Sequence, residues 1–160
     1  MRGPIVAKLH SVGDWTLLRR IAFTLILAGS AAFATGIAGA QDLMGAQTPS
    51  HNIFCLASPP GDGQPTPELR CDIEQTSTRP PPAPRSCPLS WGDAFAIDPT
   101  GPGHLLCHGD TVKNADDPVI AYGTQWRAYG FTCTSQATGL TCLNAQGHGF
   151  SLSRAAQKMF

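Results

Sequence analysis

From residue 41 onward, apolar positions come in short runs that alternate with polar ones, and no stretch of useful length holds a helical period. The runs are rich in Val, Ile, Thr and aromatic residues and are bounded by Gly, Pro, Asn and Asp. Branched and aromatic side chains suit a half-buried pleated surface, while the bounding residues suit turns. The pattern predicts strands at Ile53–Leu56, Leu69–Ile73, Ala94–Ile97, Leu105–Cys107, Val119–Ala121, Phe131–Ser135, Leu140–Leu143 and Gly149–Leu152. Only Leu152 to Met159 admits a helical turn or two. Many short strands between turn signals predict a mainly β fold, a small sandwich or barrel.

Two stretches break the pattern. Residues 58–68 (Ser58–Glu68, SPPGDGQPTPE) form a loop by composition, and residues 74–86 contain Pro80-Pro81-Pro82. Fixed φ angles and missing donors favour polyproline II there. A proline-motif ligand is the sharper reading of that run. A stiff connector inside one compact domain is the plainer and preferred one, because the run lies between cysteines. Polar turns after Cys71, Cys107 and Cys142 echo one another, but little else matches and they do not amount to a repeat.

The N-terminal 40 residues read differently. Arg19 and Arg20 precede the apolar run Ile21–Phe33, and a small-residue stretch closes on Ala38-Gly39-Ala40. That order is a secretory leader, with cleavage expected before Gln41. An uncleaved anchor is the alternative, since Ile21 to Ala40 is uncharged and just long enough to span a bilayer. Its Ala/Gly/Ser/Thr-rich second half is a poorer membrane helix than a peptidase substrate. The stretch before Arg19 is long for a leader and leaves a start downstream of Met1 open. The expected organisation is a signal peptide over 1–40 and one exported β-rich domain over 41–160, in the periplasm or secreted. Membrane contact is then expected only through the leader before cleavage.

Composition sharpens this picture in two ways. Seven basic and ten acidic residues after position 40 give a net charge of −3. Without a basic stripe, that balance argues against a nucleic-acid partner. All six cysteines, Cys55, Cys71, Cys87, Cys107, Cys133 and Cys142, fall in the same part. An even number confined to an exported segment reads as a disulfide framework, whereas zinc sites favour C-x-x-C pairs, which this chain lacks. Fifteen pairings are open to six cysteines. Neighbour pairing, 55–71, 87–107 and 133–142, is favoured because each such bridge would close a short segment that contains a turn and is flanked by strand-like residues.

In order along the chain come Thr48-Pro-Ser-His-Asn-Ile-Phe-Cys55, Leu69-Arg-Cys-Asp-Ile73, Trp91-Gly92, Cys107-His-Gly-Asp-Thr111, Ala121-Tyr-Gly-Thr124, Phe131-Thr-Cys-Thr-Ser135, Gly139-Leu-Thr-Cys142 and Gly147-His-Gly-Phe-Ser-Leu-Ser-Arg154. The series resembles a family of small secreted bacterial proteins that carries the label of a domain of unknown function. The resemblance covers nearly all of residues 47–160 and implies export and a cysteine-stabilised domain. It implies no activity, substrate or catalytic residue. His51 departs from the pattern, which more often has glycine, and a Cβ there argues against a tight turn.

Candidate chemistry is sparse. His104, His108 and Asp110 lie close together in sequence, with His148 able to join them in space, as the ligands of a metal-dependent or His/Asp-based hydrolase would. Against this, an extended segment puts the His104 and His108 side chains about 13 Å apart, too far to share an ion. Solvated or structural histidines are the plainer reading, and neither a metal nor a cofactor is expected. The segment from His148 to Arg154 is superficially similar to the His-Gly-Cys-x-Arg signature of cell-wall transpeptidases. Phe150 occupies the place of the thiol nucleophile, so that chemistry is rejected and no catalytic residue is assigned. Arg154 is more simply a carboxylate partner, and Asp110 a turn-closing side chain. Asp116-Asp117 lacks the ligand spacing of a calcium loop.

Tyr122, Trp126, Arg127 and Tyr129 form a cluster that could stack on sugar rings or anchor a protein, although Trp126 is also a natural core residue. The sequence thus favours a non-catalytic binding or interaction module of the envelope or periplasm, its partner an envelope polymer or protein. Candidate binding residues are Tyr122, Trp126, Arg127 and Tyr129; candidate polar-site residues are His108, Asp110, His148 and Arg154.

Overall fold

The structure is a computed structural model, and it describes residues 44–160 apart from Asp62. The expected leader over 1–40 and its cleavage point lie outside the described residues. Ten strands follow in order: β1 (Met44–Gln47), β2 (Ile53–Ser58), β3 (Glu68–Ile73), β4 (Ala94–Ile97), β5 (His104–Leu105), β6 (Gln125–Ala128), β7 (Phe131–Gln136), β8 (Gly139–Leu143), β9 (Gly149–Leu152) and β10 (Gln157–Met159). They form two five-stranded antiparallel meanders, β1-β2-β3-β4-β5 and β10-β9-β8-β7-β6, in which every strand pairs with its neighbour in sequence. No helix occurs among the described residues.

Period-two alternation builds each sheet. In β3, Leu69, Cys71 and Ile73 join the apolar core while Arg70 and Asp72 take the opposite face. The register aligns Ala46, Cys55, Cys71, Phe95 and Leu105 across the first sheet. It aligns Trp126, Cys133, Cys142, Phe150 and Met159 across the second. The two rows meet in the core. Phe95 and Phe150 lie 6.1 Å apart between ring centres, and the Sγ atoms of Cys71 and Cys142 are 4.0 Å apart.

Each sheet therefore carries one disulfide between directly paired residues of its second and third strands, Cys55–Cys71 and Cys133–Cys142. Cys87–Cys107 ties the proline-rich segment to the chain after β5. The expected neighbour pairing is the one observed. The structure also holds an internal likeness that differs from the sequence echo: Cys55, Cys71 and Phe95 correspond to Cys133, Cys142 and Phe150. Unequal loops hide it, because 16 residues separate the first pair of cysteines and 9 the second.

Three expectations need correction. Val119–Ala121 forms no strand; only Val119 bridges, in parallel, to Gln47. Pro118 has no N–H, and its carbonyl accepts from Gln47 N (3.0 Å), so the ladder cannot extend backward. Leu152 to Met159 holds no helical turn: Ser153 N and Oγ both bond Ala156 O, closing a turn from which β10 pairs back onto β9. So short a helix could not offset its nucleation cost, whereas β10 gains ladder bonds at once. His51 does occupy a tight turn, at φ 52°, with its N–H bonded to Thr48 O (2.9 Å) and Nδ1 2.6 Å from Gln47 Oε1.

Strands β1, β6 and β10 lay outside the sequence expectation. β6 and β7 join through Tyr129-Gly130, whose φ angles of 48° and 90° make the tight two-residue hairpin that matches strand twist. The proline-rich segment behaves as a connector. Ser77 N donates to Arg154 O (2.7 Å), so the segment leaves β3 and touches the turn before β10.

Candidate functional site

Two clefts hold polar residues that the sequence singled out. The larger, of about 610 Å³, opens beside the outer face of β3 and is lined by Asp72, Glu74, Asp93, Trp91, His108 and Asp110, among others. Three of these lining residues, Asp72, His108 and Asp110, are bonded to Arg70, which is 9 % exposed, with Asp72 at 5 %. Spacing i, i+2 on a strand sets the two on one face. Arg70 grips Asp72 with two bonds, Nε to Oδ1 at 2.8 Å and Nη2 to Oδ2 at 3.0 Å. It also donates to Asp110 through Nη1 to Oδ1 (2.7 Å) and Nη2 to the carbonyl oxygen (2.9 Å). Val112 N and Thr111 Oγ1 complete the shell of Asp72 at 3.0 and 3.2 Å.

His108 is locked into the same cluster. Its Nδ1 lies 2.6 Å from Asp110 O and its Nε2 2.9 Å from Asp93 Oδ1. Nδ1 also lies 3.0 Å from Arg70 Nη2, so it faces a donor as well as the Asp110 carbonyl, while Nε2 faces the Asp93 carboxylate. Burial works against the charged ring, but the hydrogen bonds to Asp93 and the Asp110 carbonyl and the charge of Asp93 outweigh it, so its pKa stands above the ordinary value. Burial likewise opposes the charge on Arg70, and the bonds and charges of Asp72 and Asp110 reverse that. The hydrogen bond and charge of Arg70 hold Asp110 below the usual carboxylate range. The bonds of Arg70, Asp72, His108 and Asp110 clamp the segment 108–113 onto the sheet, while the indole N–H of Trp91, in the same lining, is buried without a hydrogen-bond partner.

The smaller cleft, of about 190 Å³, brings Tyr122 and Arg154 together with Thr48, Asn52, Gln136 and Thr138. Tyr122 is about half exposed. The guanidinium of Arg154 is held at the wall by Nη2 donating to Gln75 Oε1 (2.7 Å). No carboxylate lines this cleft.

The structure separates the rest of the expected residues. His108 and Asp110 touch, but His104 sits on β5, two strands from Arg70 in the row Arg70–Ala96–His104. His148 lies in the turn between β8 and β9, its N–H bonded to Asn144 Oδ1 (3.1 Å). Among the described residues, three side chains with ligand atoms within 4.8 Å of one another occur only at Cys55, Cys71 and Cys142, all committed to disulfides. Trp126 and Tyr129 pack against the core, while Arg127 is exposed and bonds Gln125. Asp117 Oδ1 accepts from Asn114 Nδ2 (2.8 Å), a turn contact. Arg70 and Asp72 escaped the sequence reading. Their signal was the strict alternation of Leu69-Arg-Cys-Asp-Ile73, which puts both charges on the face away from the cysteine.

The sequence model of DUF6636, a family of unknown function, matches residues 22–160, and the chain belongs to that family. Comparisons with curated proteins and with solved structures give no match. The protein is thus a disulfide-bonded, two-sheet β member of a family of unknown function, and its three bridges suit an oxidising environment.

Proposed function

We propose that this protein is exported to the periplasm or beyond, loses residues 1–40, and acts there as a non-catalytic binding module for an envelope polymer or protein. One observation carries the reading. The groups best suited to chemistry, His108 and Asp110, are spent in bracing Arg70, while Tyr122 and Arg154 stand together in an open cleft. A half-exposed aromatic ring beside an arginine suits recognition. The leader layout of Arg19-Arg20, Ile21–Phe33 and Ala38-Gly39-Ala40 supports export.

The test is co-sedimentation of the disulfide-intact protein with insoluble envelope material, followed by an assay for new reducing ends and free amino groups. Retention without release of either product is the expected result. Released product makes the protein a hydrolase, and absence of retention removes the binding reading.

A further inference from the structure

Charge is divided unevenly along this chain. Residues 41–117 hold all ten carboxylates found after position 40 and four cations, a net charge of −6. Residues 118–160 hold Arg127, Arg154 and Lys158 and no carboxylate side chain, a net charge of +3. The outer faces of the two sheets differ just as sharply. On the first, Phe54, Arg70, Asp72, Ala94 and Ala96 are buried, and the segment from Asp110 to Lys113 contacts Arg70, Asp72 and Phe54. On the second, Gln125, Thr134, Thr141, Ser151 and Lys158 form one row across all five strands, and each is exposed or half-buried.

Neighbours within that row are hydrogen-bonded: Gln125 Nε2 donates to Thr134 Oγ1 (3.2 Å) and Thr141 Oγ1 to Ser151 Oγ (3.1 Å). Arg127 lies on the same face, two residues along β6 from Gln125. Two residues along β7 and β8 from Thr134 and Thr141 come Gln136 and Gly139, which line the cleft of Tyr122 and Arg154. The cleft and the hydroxyl row are therefore one continuous surface, without an acidic side chain and with cations at its margins.

We propose that this surface binds a carboxylate-bearing polysaccharide, an assignment that rests on the binding reading above and names its ligand class. Tyr122 stacks on a sugar ring, Arg154 takes a ring carboxylate with its planar fork, and the hydroxyl row bonds ring hydroxyls. Side-chain chemistry selects this ligand over a nucleic acid. Four inter-strand steps of about 4.8 Å put β6 and β10 about 19 Å apart, and the row between their ends, Thr134, Thr141 and Ser151, carries hydroxyls and no cation. Neutral hydroxyls offer a phosphate backbone little of the charge it requires, whereas they can bond the successive ring hydroxyls of a sugar chain.

The experiment titrates the disulfide-intact protein with polygalacturonate, with its methyl ester, which keeps the rings but removes the charge, and with single-stranded DNA. Polygalacturonate is expected to bind, more weakly as salt rises. Esterification, Arg154→Gln and Tyr122→Ala should each weaken binding by about tenfold or more, as loss of a charge-assisted bond or a stacking anchor does. The pair Arg127→Gln/Lys158→Gln, on exposed strand positions, should weaken it with the thermal unfolding curve unchanged. Equal binding of acid and ester, indifference to all four substitutions, or preference for DNA would overturn the assignment. Those outcomes leave the binding reading standing where envelope material still retains the protein; loss of that retention removes both.

Discussion

Arg70→Met is the sharpest test of how the outer face of the first sheet is held. The substitution keeps a long apolar stem but removes both bonds to Asp72, a carboxylate 5 % exposed that otherwise keeps only Thr111 Oγ1 and Val112 N. Breaking a buried pair from one side costs about 3–5 kcal/mol, because the remaining charge is left uncompensated. Against a typical domain stability of about 5–15 kcal/mol, that is a large share. Removing both charges, in Arg70→Met/Asp72→Leu, should cost clearly less than the two single substitutions together, by about 2–3 kcal/mol of coupling. Asp110→Ala removes the other carboxylate that Arg70 touches, but its side chain is 79 % exposed and the loss should stay below about 1 kcal/mol. Denaturant titration without reductant, followed by tryptophan fluorescence, measures all four variants. A cost below about 1 kcal/mol for Arg70→Met, or additive single substitutions, would refute the clamp.

The remaining predictions concern other parts of the fold. His108 has a raised pKa when folded, so its contribution to stability is complete below the unfolded value of 6.5 and fades as pH rises through the folded value; His108→Gln should flatten stability across that window, read by unfolding at a series of pH values. At position 51, where φ is 52°, His51→Gly should be more stable than His51→Ala by about 1 kcal/mol in the same denaturation assay. Replacing Cys133 and Cys142 together by Ala should cost about 3 kcal/mol from loop closure alone, measured as a lower denaturation midpoint, with the other two bridges retained in a peptide map.

Much of the fold was legible in the residues. Ala94–Ile97 and Gly149–Leu152 coincide with β4 and β9, and the neighbour pairing of cysteines followed from the turn inside each closed segment. What escaped has physical reasons. β1, β6 and β10 are edge or near-edge strands whose sequences, MGAQ, QWRA and QKM, carry little branched or apolar signal; pairing with an inner strand makes them strands. His51 shows the opposite failure, since a side chain that disfavours the left-handed region is held there by the turn and by Gln47. The candidate sites divide along the same line. His108 and Asp110 were adjacent in sequence and stay adjacent in space, but Arg70 and Asp72 come from a strand some 40 residues earlier, and only the folded register brings them together. Tyr122 and Arg154, noticed separately, share a cleft for the same reason.

The most direct test of an exported, three-bridge domain is the intact mass and non-reduced peptide map of the protein expressed from Met1 and recovered without reductant. The account predicts a chain beginning at Gln41, six hydrogens lighter than its reduced form, with cross-linked peptides joining 55 to 71, 87 to 107 and 133 to 142. A chain that keeps residues 1–40, or one with free thiols or crossed bridges, would contradict it.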